Sequence, residues 1–308
     1  MDALRPKPFR GDVIAAGVVV LVTLVWVVAT RFEQAWADGV HVAYGACALA
    51  FVLLLAVQAP MEGDAPRAYQ SVLYVASVAL FVDVVFWVAR ILAGDGDAVS
   101  PGALTWTLAA VAVFAVWFAI RRNSAVCTLI GALAGGGAVL AAVALVWHPH
   151  GFGTDRWVLL GLMVVYGFLA IGQRDRRLRH GVALIDAAGL SVAVIGGSFV
   201  ADAFLRGLSD SGDEPIVGVA WGWELVILAA GFGLIAYSSV DRQPGPAYLG
   251  VLNLIFFAII TSLDVSAGSL PTSWKPDHNV GSTTNVRRAV PALRTVTRMA
   301  RSVGVAFA

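Results

Sequence analysis

Lysine is nearly missing from this chain. Lys7 and Lys275 are the two present in 308 residues, and charged residues of every kind make up 13%. A soluble globular domain carries about 25% charged and about 45–50% apolar residues, whereas here the apolar share is 59%. So little charge excludes a water-solvated surface of ordinary extent. A net charge of +1 lacks the basic footprint of a nucleic-acid binder. Cysteine is scarce too: Cys47 and Cys127 stand far apart inside apolar runs, with no CxxC, zinc-knuckle or haem-attachment spacing, and read as small packing residues. Also absent are GxSxG, a Walker loop, HExxH and a GxGxxG between strand and helix. The chain is therefore expected not to be an enzyme, and no cofactor is implied. An enzyme acting on lipid-linked substrates would have only the His148–Asp155 and Asp202–Arg206 regions to work with.

What fills the sequence instead is long apolar runs, with a mean hydropathy of +0.80. Cut at charges and at Gly/Pro turns, they give candidate spans at 12–30, 39–58, 70–94, 102–120, 125–147, 157–172, 181–205, 216–240 and 246–262. About 20 apolar residues cross a bilayer as a helix. Barrel strands would alternate polar and apolar residues, and runs such as Val18-Val19-Val20-Leu21-Val22 do not. The fold class expected is all-α, a polytopic transmembrane helix bundle of about nine spans over residues 1–262, with the lipid bilayer as its first partner. The basic start and the Ala35-Trp36-Ala37 tripeptide resemble a secretion signal, but the run from Asp12 to Thr30 exceeds a signal's roughly 7–15 apolar residues. It reads as a retained first span.

Arginine placement orients the bundle, because positive charge in short loops is held inside. A cytoplasmic amino terminus puts Arg5, Lys7, Arg10, Arg67, Arg121, Arg122, Arg174, Arg176, Arg177, Arg179 and Arg242 inside. It leaves Arg31, Arg90, Arg156 and Arg206 outside. Arginine in place of lysine suggests a high-GC bacterial genome, hence a bacterial plasma membrane. The tail, 263–308, is polar and then basic. At 100° per residue Arg287, Arg294, Arg298 and Arg301 share one face, which fits a helix on anionic lipid inside the cell. Nine spans from an inside start would place the tail outside. The conflict resolves if 157–172 or 246–262 fails to cross, if the tail is translocated, or if Pro291 breaks the amphipathic helix.

Ionisable groups inside spans are the informative class, each costing about 2.5–3.5 kcal/mol at a helix centre on insertion scales. Asp83 lies mid-span among Phe81, Val82, Val84, Val85 and Phe86, with Arg90 two turns away near the outer end. Desolvation without a cationic partner favours the neutral acid, or else a hydrated cavity. The two readings are a protonation or substrate site and a carboxyl hydrogen-bonded to a neighbouring helix. Glu224, beside Trp221 and Trp223, is expected in the outer third. Asp202 has Arg206 at ion-pair spacing, and Asp186 lies within reach of the arginines at 174–179. His41 and His180 read as interfacial, and His148 with His150 is too small a set for a metal. Gly131 and Gly135 read as close helix packing.

Two functions remain. One is a small secondary transporter or permease, with Asp83 as proton-coupling group and Glu224 and Asp202 lining an outer vestibule, although no inverted repeat is evident. The other is a membrane scaffold, assembly factor or accessory subunit with a membrane-protein partner.

Overall fold

The computed structural model describes residues 11–59, 66–93, 100–148, 151–208 and 221–268. These form nine α-helices and no strand: α1 (Gly11–Arg31), α2 (Asp38–Gln58), α3 (Ala68–Ala93), α4 (Pro101–Arg122), α5 (Ala125–Trp147), α6 (Gly153–Arg174), α7 (Leu178–Leu208), α8 (Trp221–Asp241) and α9 (Pro244–Gly268). All nine are long and apolar enough to cross a membrane. The two short runs belong to longer helices. α6 has 22 residues, about 33 Å at 1.5 Å per residue, and the apolar part of α9 has 19, about 29 Å against a hydrocarbon core of about 30 Å. Helix α9 also runs past residue 262, to Gly268. The tail and its arginines 287, 294, 298 and 301 lie outside the described residues.

Local chemistry sets the helix ends. Ser100 accepts a hydrogen bond from the Ala103 amide just before Pro101 opens α4. Asn123 then ends α4 in the left-handed region, φ 50°, and Ser124 caps α5 through the Cys127 amide. Arg242, φ 53°, makes the same left-handed break between α8 and α9, where Pro244 follows.

The helices alternate in direction. The end where α1 begins is called the near end, and the opposite end the far end. Helices α3 and α7 are central: 50% and 56% of their apolar stretches are buried, against 28% or less in the other seven. Around α3 the core is built on Leu73, Tyr74, Leu80 and Phe118, with the Tyr74 and Phe118 rings 5.1 Å apart. Around α7 it is built on Ala187, Val192, Ile227 and Ile260.

The two halves repeat one arrangement. α1, α2 and α4 pack on α3 as α5, α6 and α8 pack on α7, and α4 lies along α5 as α8 lies along α9. The register of that last contact is the same in both halves. A Cβ on Gly131 would meet Val116 at 2.9 Å and the Ala112 carbonyl at 3.5 Å; one on Gly250 would meet Ile235 and the Gly231 carbonyl, both at 2.7 Å. Gly131 corresponds to Gly250, Val116 to Ile235 and Ala112 to Gly231, at one constant offset of 119 positions in each pair. Each repeat holds four helices, an even number, so the copies are parallel and related by an axis along the membrane normal. An inverted repeat is the wrong symmetry to search for here.

At the near end Arg122 donates to the Val57 carbonyl at 2.5 Å, tying α4 to α2. His180, expected at the interface, is 6% exposed. Its ring joins Thr128 Oγ1 (2.5 Å) and Asn123 Oδ1 (2.7 Å), so α7 is pinned to the α4–α5 turn. His180→Phe is expected to cost about 0.5–1.5 kcal/mol for each of the two hydrogen bonds it removes, seen as a lower Tm in detergent. An unchanged Tm would show the pin to be idle. Among the described residues, Arg67, Arg121, Arg122, Arg174, Arg176, Arg177, Arg179 and Arg242 belong to the near end, while Arg31, Arg90, Arg156 and Arg206 belong to the far end.

Candidate functional site

Asp83 projects from α3 toward α2, about ten residues short of the far end of its helix. Space for its carboxyl exists because the facing residue is Gly45: a Cβ there would lie 2.8 Å from Asp83 Oδ2. That oxygen is buried and has no hydrogen-bond partner among the described residues. Trp87 lies one turn along α3 on the same helix face as Asp83.

His41 is 1% exposed, and neither ring nitrogen finds a partner among the described residues. Its ring is stacked on Trp87 at 3.8 Å between centroids and 6° between planes, with Trp36 tilted against it at 5.4 Å. One turn separates His41 from Gly45, so both present the same face of α2 to α3. The histidine expected at the interface is therefore sealed inside an aromatic box beside Asp83.

Arg90 does not turn inward to Asp83. Its guanidinium pairs with Glu33 at 2.7 Å and with Asp38 at 3.7 Å, and lies over the Trp87 ring at 4.7 Å. The outer carboxylates hold the cation at the rim. Below it the order is Trp87 and His41, then Asp83: from the far surface inward, a charged rim, an aromatic layer, a buried imidazole and a carboxyl.

The other two candidates lie elsewhere. Asp202 of α7 pairs with Arg156 of α6 at 2.7 Å, the two side chains being 13% and 29% exposed for Arg156 and Asp202. Arg156 also donates to Ser198 Oγ (2.8 Å) and to the Ser198 carbonyl (3.2 Å), and its guanidinium carbon lies 3.6 Å from the Phe199 ring centroid. The side chain of Arg206, the expected partner, lies outside the described residues. Glu224 is in the first turn of α8, next to Trp223, whose ring packs near Trp157 (5.1 Å) and Phe199 (6.1 Å). Asp202 and Glu224 thus belong to one far-end neighbourhood in the second repeat, and Asp83 to another in the first.

At the near end Arg174 pairs with Asp241 at 2.8 Å and not with Asp186. Asp186 instead faces Gly245 in the first turn of α9, where a Cβ would lie 3.0 Å from its Oδ2. No group of three or more His, Cys, Asp or Glu side chains fit to hold a metal occurs among the described residues.

Sequence reasoning found Asp83 and missed His41 and Arg156. The available signal for His41 was spacing: His41 and Gly45 share a helix face, as do Asp83 and Trp87, so each helix offers one polar group and one complementary neighbour. No family model, curated protein or solved structure matches this chain, and the site is read from its own geometry.

Proposed function

We propose that this multi-pass membrane protein is a small proton-coupled secondary transporter of a bacterial plasma membrane, with the near end cytoplasmic and Asp83 as the proton-coupling group. The observation that supports it is the facing pair. His41, almost fully buried with two unpartnered nitrogens, and Asp83, with an unpartnered buried oxygen, stand one helical turn apart on the facing sides of α2 and α3. Unpaired buried polar groups are costly, and in native structures they mark strain, catalysis or ligand and proton sites. A carboxyl and an imidazole in series are the usual parts of an intramembrane proton relay. The gathering of basic residues at the near end supports the orientation. The parallel repeat supports transport over scaffolding, since paired repeats are the frame on which many transporters rock.

Carbodiimide labelling in native membranes across pH is the direct test, because the reagent attacks protonated carboxyls in apolar surroundings. The wild type is expected to label, less as pH rises, and Asp83→Asn to lose that labelling. Gly45→Ala sets a methyl against Oδ2, and it is expected to change the labelling rate with Asp83 still present. Labelling that persists in Asp83→Asn would remove the proton-coupling reading and turn the search to a membrane-protein partner in mild detergent.

A further inference from the structure

Between α4, α5, α6 and α7, in the far half of the bundle, lies a cavity of about 600 Å³. Small-molecule sites run about 300–1,000 Å³. The cavity stands where the repeats meet, since α4 closes the first and α5 opens the second. Transporter sites occupy this kind of place, although nearer mid-depth. Its walls are apolar, with Leu108 from α4, Leu140 from α5, Leu159 from α6 and Val194 from α7. Its polar groups are Asp155, Arg156 and Ser198.

The charge of those groups selects the ligand. Arg156 is already neutralised by Asp202, and its Nε and Nη2 hydrogens are directed to Ser198 and Asp202. Asp155 makes no ion pair among the described residues and sits in the first turn of α6. A helix N-terminus offsets about half a charge, so the described part of the rim, with Arg156 paired to Asp202, stays net negative at Asp155. Among the described side chains lining the cavity, an anion would meet Asp155 and a cation already paired with Asp202. An acyl chain would match the walls and leave the carboxylate facing hydrocarbon.

We propose that the cavity binds a lipophilic monocation, an organic cation whose charge is shielded by apolar groups, with its positive centre toward Asp155. The proposal rests on the transport reading for the cavity's purpose, and equilibrium binding tests it separately. The probe is radiolabelled tetraphenylphosphonium, with tetraphenylborate as the competitor of the same shape and opposite charge, on the full chain in detergent. Saturable binding is expected. Asp155→Asn should weaken it by at least about tenfold, as loss of a nearby opposite charge in a low-dielectric site implies, while Asp155→Glu retains it. Ala201→Phe, which fills the cavity from α7, should abolish it with Tm preserved. Tetraphenylborate should compete poorly.

No saturable binding, binding indifferent to Asp155→Asn, or equal competition by tetraphenylborate or by phospholipid would overturn the proposal; the last two would leave a merely apolar groove. Cation binding in a chain that moves no protons refutes transport and not the site. Proton flux that depends on Asp83 without cation binding refutes the site alone.

Discussion

Arg156→Met is expected to destabilise the protein by about 1.5–3 kcal/mol, the effect of losing hydrogen bonds to a charged group in a partly buried pair. The arginine side chain is 13% exposed and holds α6 to α7 through Asp202, the hydroxyl and carbonyl oxygens of Ser198 and the Phe199 ring. Methionine matches its length and removes the cation that pairs with the Asp202 carboxylate. Asp202→Leu added to Arg156→Met removes the stranded charge. The double variant is therefore expected to recover much of the loss, since apolar replacement of a buried pair is often close to neutral. Thermal unfolding in detergent of the wild type, both single variants and the double variant gives the coupling. A double variant no more stable than Arg156→Met alone would show that packing on Phe199, and not charge, carries the effect.

The second large effect belongs to a glycine. Gly250→Val puts a branched side chain where a Cβ alone lies 2.7 Å from the Gly231 carbonyl oxygen and 2.7 Å from Ile235. Because the obstacle on one side is backbone, a rotamer change cannot relieve it, and α8 and α9 must separate. Overpacking of this kind costs typically about 1–3 kcal/mol, and a backbone clash belongs at the upper end. Gly135→Ala is the control. Its Cβ would rest 3.9 Å from that of Ala112, ordinary contact, so the substitution should be neutral or slightly stabilising through helix propensity. Equal Tm values for the two variants would contradict the close approach of α8 and α9.

The nine helices were legible because lipid demands what composition reports: unbroken apolar length with every backbone group paired internally. The ends were less so. Helix α6 begins at Gly153, four residues before the apolar run at Trp157, since Thr154, Asp155 and Arg156 are polar residues that an interfacial first turn accommodates. Asp83 stood out because a charge in hydrocarbon is costly wherever its partners lie. His41 and Arg156 did not, because each sits near the end of an apolar run, where polar residues are ordinary. Their importance depends on which neighbouring helix folds over them. The repeat was hidden for a related reason. Its shared register rests on Gly131 and Gly250 admitting a close neighbour, while the residues they meet, Ala112 and Val116 against Gly231 and Ile235, have changed identity with similar bulk.

The repeat also relates the fifth described helix to the ninth. The first four-helix unit is completed along α4 by a helix borrowed from the second, namely α5. In the second unit α9 stands along α8 where α5 stands along α4, its Gly250 seated against Gly231 and Ile235. Helix α9 thus does for α8 what α5 does for α4: it covers the flank that a close-approaching glycine opens, Gly250 in one case and Gly131 in the other.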